Sequence, residues 1–157
     1  MLTVVMVVED VLRMSGSDGH IDTGYGLYQS IARDNQLYLL THEFDKEELA
    51  AWLPKRRLTG HLAVLKARAP GPAGRLDALE RVRSFRIGLV IEPDPECAAA
   101  EIEAGWSTLL HTNAAYTQPR WRPDYTGTPR PWGQLTAAIE HQELLRIADP
   151  RTEFEES

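Results

Sequence analysis

Carboxylates, a hydroxyl and imidazoles recur directly behind short apolar runs in this chain. Glu9 and Asp10 follow residues 2–8, Thr41 and His42 follow residues 37–40, and Glu92, Asp94 and Glu96 follow residues 87–91. His111, Thr112 and Asn113 follow residues 108–110. Acidic groups behind two runs, with a hydroxyl behind a third, can hold a divalent cation or move a proton, because hard cations take oxygen ligands and a positioned carboxyl exchanges protons readily. Such groups act together only if the fold gathers the ends of the runs, so the elements that carry them decide the matter.

Residues 2–8 are apolar and β-branched without alternation, the pattern of a strand buried on both faces of a parallel sheet. A polar, glycine-rich stretch over 15–26 follows, and Leu27, Tyr28 and Ile31 then predict a short helix before a second strand over 37–40. Asp45 and Glu48 read as a capping box opening a helix through Leu53, ended by Pro54. A third strand is expected over 61–65, a loop over 69–74, a helix carrying Leu76, Leu79 and Val82, and a fourth strand over 87–91. Asp94 with Pro95 behind it starts another helix, Gly105 lies just past its end, and residues 108–110 form the last strand. Strands alternating with helices predict right-handed crossovers: a three-layer Rossmann-like α/β fold of about five parallel strands with helices on both faces. Only the short 15–26 stretch separates the first strand from the next helix, which leaves no room for a large cap. In such sheets ligands bind at the carboxyl ends of the strands, where the polar residues above are found.

The chain of 157 residues, 43% hydrophobic, suits one domain over 1–148. Within it, 116–132 reads as an irregular aromatic and basic loop, 134–147 as a terminal helix, and 149–157 as an acidic tail. A net charge of -6 disfavours a general nucleic-acid or anionic-membrane surface. Cys97 stands alone, so neither an internal disulfide nor a thiolate metal site is expected. The apolar start is too short for a bilayer span and lacks the form of a signal peptide, which makes the cytoplasm the expected location.

Three stretches carry a resemblance to a known family. VVEDVLR, at the end of the first strand, is similar to the Asp-x-Asp motif of the haloacid dehalogenase (HAD)-like superfamily; LYLLTHE supplies Thr41 as its second-motif hydroxyl; GLVIEPDPECAAAEIEAGW resembles its fourth, acidic motif. The resemblance implies catalytic roles for Glu9, Thr41 and a basic third-motif residue, which Lys66 or Arg75 could supply. It also implies Mg²⁺ held by Glu9, Glu92 and Glu96. Matching Val11 and Leu12 to that motif places Val7 at the nucleophilic aspartate, Glu9 at the acid/base and Asp10 at a glycine; in the alternative register Glu9 comes first and Val11 replaces the acid/base. Either way one catalytic carboxylate is missing, and valine can neither attack phosphorus nor bind a metal. The expected function is therefore a catalytically impaired HAD-like protein with a binding or regulatory role, the alternatives being a weak Mg²⁺-dependent phosphohydrolase or an assembly scaffold.

Plainer roles compete at each position. Asp94 suits a helix cap, Glu96 suits the positive end of the helix dipole, Cys97 suits a small buried side chain, and Glu9 and Asp10 suit a solvated strand end. Arg120, Trp121, Arg122 and Trp132 offer a protein-partner surface, against the plainer reading of a segment that wraps the domain.

Overall fold

The computed structural model describes residues 1–112 and 131–148. In order these form β1 (Thr3–Val7), α1 (Asp22–Asp34), β2 (Gln36–Thr41), α2 (Lys46–Lys55), β3 (Ala63–Lys66), α3 (Gly71–Arg81), β4 (Leu89–Glu92), α4 (Pro95–Glu103), β5 (Thr108–Leu110) and α5 (Pro131–Ala148). The five strands make one parallel sheet in the order β3-β2-β1-β4-β5. The chain first builds outward from β1 to β3, then crosses back so that β4 takes the other side of β1. The strand order thus reverses between β1 and β4, the place where open α/β sheets leave a crevice at their carboxyl ends.

Side chains alternate along a strand, so β1 feeds two cores. Val4, Met6 and Val8 join Tyr28, Leu49, Trp52 and Leu53 from α1 and α2 in one buried cluster. Val5 joins Leu40 and Val90 in another, with Ala78 and Leu79 from α3. The unbroken apolar run at residues 2–8 is the sequence mark of this double burial.

Between β1 and α1 the chain makes a tight turn and a small hairpin. The Val8 carbonyl accepts from the amides of Val11, Leu12 and Arg13 at 3.0–3.3 Å, with Asp10 in the left-handed region at φ 62°. Aspartate tolerates that conformation better than most residues. Arg13 and His20 then bridge antiparallel. This turn is what α1 packs on: a Cβ at Gly24 would lie 1.5 Å from the Val11 carbonyl oxygen, so only glycine permits the approach.

Several elements differ from expectation. α1 begins at Asp22, inside the stretch that reads as loop, because Gly24 serves this contact rather than breaking the helix. Asp45 sits at the α2 N-cap without a side-chain capping bond, and Glu48 pairs instead with Arg13 at 2.6 Å. Pro54 lies within the last turn of α2 rather than beyond it. Asp94 does cap α4, its carboxylate accepting from the Glu96 amide at 2.8 Å. α5 starts at Pro131, so Trp132 belongs to a helix backbone rather than a loop. Arg120, Trp121 and Arg122, with most of the 116–132 segment and the 149–157 tail, lie outside the described residues. Among the described residues no helix is long and apolar enough to cross a membrane.

Candidate functional site at the carboxyl edge of the sheet

Parallel pairing puts Glu9, Thr41, Lys66 and Glu92 at one edge of the sheet, and alternation then divides them between its faces. Thr41 pairs in register with Lys66, and Val7 with Leu40. Met6 pairs with Ile91, which leaves Glu92 level with Val7. Thr41 and Lys66 thus share the side of α1 and α2, whereas Glu92 shares the side of α3.

On the first side, the Glu9 carboxylate is buried and its Oε1 collects three donors: the Thr41 hydroxyl, the His42 amide at 3.1 Å and the Glu43 amide at 3.0 Å. Thr41 Oγ1 in turn accepts from the Phe44 amide at 3.1 Å. The Glu9 Oε2 atom has no hydrogen-bond partner among the described residues; His42 Nδ1, itself buried and unbonded, lies 3.7 Å away. Glu43 takes the Ser15 hydroxyl at 2.7 Å and the Gly16 amide at 2.6 Å, which ties the hairpin to the end of β2. Asp10 accepts from the Ser15 amide at 3.0 Å. Burial raises its carboxyl above the usual range, the Ser15 bond opposes that, and the nearby Glu43 and Glu9 charges reinforce it. Lys66 stands apart, its Nζ donating to the Phe44 carbonyl at 2.8 Å.

On the second side, Arg75 from α3 grips Glu92 with two bonds, Nε at 2.5 Å and Nη2 at 3.2 Å, both side chains being buried. Glu101 of α4 lies 4.0 Å from the same Nε and is also fully buried. One guanidinium cannot neutralise two buried carboxylates. The Glu101 carboxyl is accordingly pushed up to about 11, first by burial and then by the adjacent Glu92, and stays protonated at neutral pH. Burial also pushes the Cys97 thiol up, with Glu92 adding to it, so Cys97 is a small buried hydrophobe rather than a nucleophile. Asp94 is likewise raised, by burial first and Glu92 second.

The structure therefore joins Glu9 to Thr41, sets Lys66 on a neighbouring backbone carbonyl, and clasps Glu92 to Arg75. Glu96 occupies the first turn of α4. Among the described residues no three His, Cys, Asp or Glu side chains form a group able to hold a metal ion, so Glu9, Glu92 and Glu96 are not one ligand set. Glu92 is bound by Arg75 on the α3 side while Glu9 lies on the other side with its Oε1 taken by three donors, so this arrangement does not fit Mg²⁺ as the resemblance implies it.

Sequence reasoning singled out neither Arg13 nor Glu101. Arg13 is buried, stacks 3.9 Å from the Phe44 ring centroid and bonds the Ser17 carbonyl at 2.8 Å. No spacing in the sequence announces this. Glu101 did leave a trace: it stands four residues beyond Cys97, on the same apolar helix face.

No protein-family model matches this chain, and no curated protein or solved structure resembles it closely enough to be a relative.

Proposed function

We propose that this chain is a HAD-like protein without phosphoryl-transfer activity, with a binding or regulatory role for its sheet edge. The observation that carries the reading is the Glu9 carboxylate. It fills the donor cradle made by Thr41 Oγ1 and the amides of His42 and Glu43, the place at the end of β2 where an incoming anion would otherwise be held. Val7, fully buried and apolar, adds no nucleophile beside it. Glu92 is neutralised by Arg75, and the second Glu9 oxygen is buried. A cytoplasmic location goes with this reading, because a chain with one buried cysteine needs no oxidising compartment.

The test is an assay of a generic phosphomonoester with Mg²⁺, comparing the protein with its Glu9→Gln and Glu9→Ala variants. The expected result is equal background hydrolysis in all three, and inorganic phosphate binding, read by calorimetry, only in Glu9→Ala, where the cradle is emptied. Turnover by the unmodified protein that disappears in Glu9→Gln would overturn the reading in favour of a weak Mg²⁺-dependent phosphohydrolase.

A further inference from the structure

A cavity of about 250 Å³ opens between the 13–20 hairpin, the first turns of α1 and the end of α2, lined by Leu12, His20, Asp22, Tyr25, Arg56 and Leu58. None of these residues belongs to the Glu9 or Glu92 clusters, so the site is independent of the reading above. Leu12 and Leu58 are buried and give an apolar floor, and Tyr25 stands partly exposed in the wall.

Two opposite charges line the same space. The Arg56 guanidinium is held in place from two directions: it lies 4.2 Å from the Trp52 ring centroid, and its Nη2 donates to the Asp18 carbonyl at 3.2 Å. Trp52 Nε1 donates to that same carbonyl at 2.9 Å, which fixes the carbonyl and the ring together. A guanidinium so positioned presents its remaining donors with little further entropy to lose. Asp22, the first residue of α1, supplies the negative group, with His20 Nε2 at 3.1 Å.

We propose that this cavity binds a small aromatic zwitterion, of the class of a free aromatic amino acid. Its carboxylate meets Arg56, its ammonium meets Asp22, and its ring lies on Leu12 and Leu58 against Tyr25. A ligand with only an acid would gain nothing from Asp22, and one with only an amine would face Arg56. Size fits the same class: an apolar cavity of about 150 Å³ holds a benzene ring, so the space here takes one ring and a short polar head but not a nucleotide.

The experiment is a titration of the ¹⁵N-labelled full chain with L-phenylalanine, followed by amide chemical shifts. Phenylacetate and phenethylamine, each lacking one charge, serve as comparators. Saturable shifts are expected at residues 12, 20–25 and 56–58, with each comparator and the Asp22→Asn and Arg56→Gln variants binding about three- to tenfold more weakly. Asp22→Asn should leave phenylacetate binding no weaker than before. The Asp22 side chain is 93% exposed, so its replacement does not threaten the fold. Absence of saturable shifts up to ~10 mM, or comparators and Asp22→Asn matching the parent affinity, would overturn the proposal.

Discussion

Replacing Arg75 by methionine should be among the most damaging single changes available to this protein. The side chain is 4% exposed, its partner Glu92 is fully buried, and the two share bonds of 2.5 and 3.2 Å. Methionine fills similar space but leaves Glu92 as a buried carboxylate with no cation, beside a Glu101 carboxyl that already holds a proton. Removing one partner of a buried ion pair costs about 3–5 kcal/mol, a large fraction of the ~5–15 kcal/mol that holds an ordinary domain folded. At ~1–3 kcal/mol per molar urea, the unfolding midpoint should fall by roughly 2 M. Circular dichroism during urea titration reads this directly. The double variant Arg75→Met with Glu92→Gln removes both charges and should recover most of the loss, because an apolar or neutral replacement of a whole buried pair is close to neutral. Two results would refute the reasoning: a loss under ~1 kcal/mol for Arg75→Met, or a double variant no better than the single one, which would mean that packing rather than charge sets the effect.

Glu101→Gln should remove a pH dependence. The folded carboxyl is raised to about 11 from an ordinary 4.5, so the folded state keeps a proton that the unfolded chain releases; stability is fully present below about pH 4.5 and declines as pH rises toward the folded value. Glutamine mimics the protonated form, and thermal melts from pH 5 to 9 should show a flatter profile with no loss at pH 7. Thr41→Val takes one donor from Glu9 and strands the Phe44 amide, both in buried surroundings, and should cost about 2 kcal/mol in denaturant titration while leaving the secondary structure intact. Gly24→Ala drives a methyl into the Val11 carbonyl and should cost at least ~3 kcal/mol or prevent folding, whereas Gly26→Ala, which meets nothing within 4 Å, should be neutral or mildly stabilising.

Elements governed by local rules were legible from the sequence. The apolar run at residues 2–8, the Asp94-Pro95 start of α4 and Gly105 at φ 96° each express a short-range constraint, and each appears where it was expected. Local rules gave way where a distant partner competed. Glu48 pairs with Arg13, thirty-five residues away, instead of completing a capping box, and Gly24 joins a helix because of a turn on the preceding segment. The site shows the same division. Parallel topology gathers the polar residues at the strand ends, but whether they cooperate depends on alternation and register, which place Thr41 and Glu92 on opposite faces. That position 7 is a valine, with no carboxylate to offer, could be read directly from residue type. The choice of Arg75 over Lys66 as the partner of Glu92 could not, because it depends on how α3 lies against β4.

The central position of β1 matters during synthesis. β1 is synthesised before the other four strands, and its β2 side can be paired once residue 41 is available, with β3 following by residue 66. Its other edge, residues 4–6, waits for residues 89–91 of β4. At ~5–20 residues per second this delay is on the order of seconds, far longer than a hairpin or helix needs to form. A half-sheet formed in that interval would have its most apolar strand as an exposed edge, a template for the same strand of a neighbouring chain on the same message. Slow codons between α3 and β4 should therefore lower the soluble yield more than slow codons placed after β5.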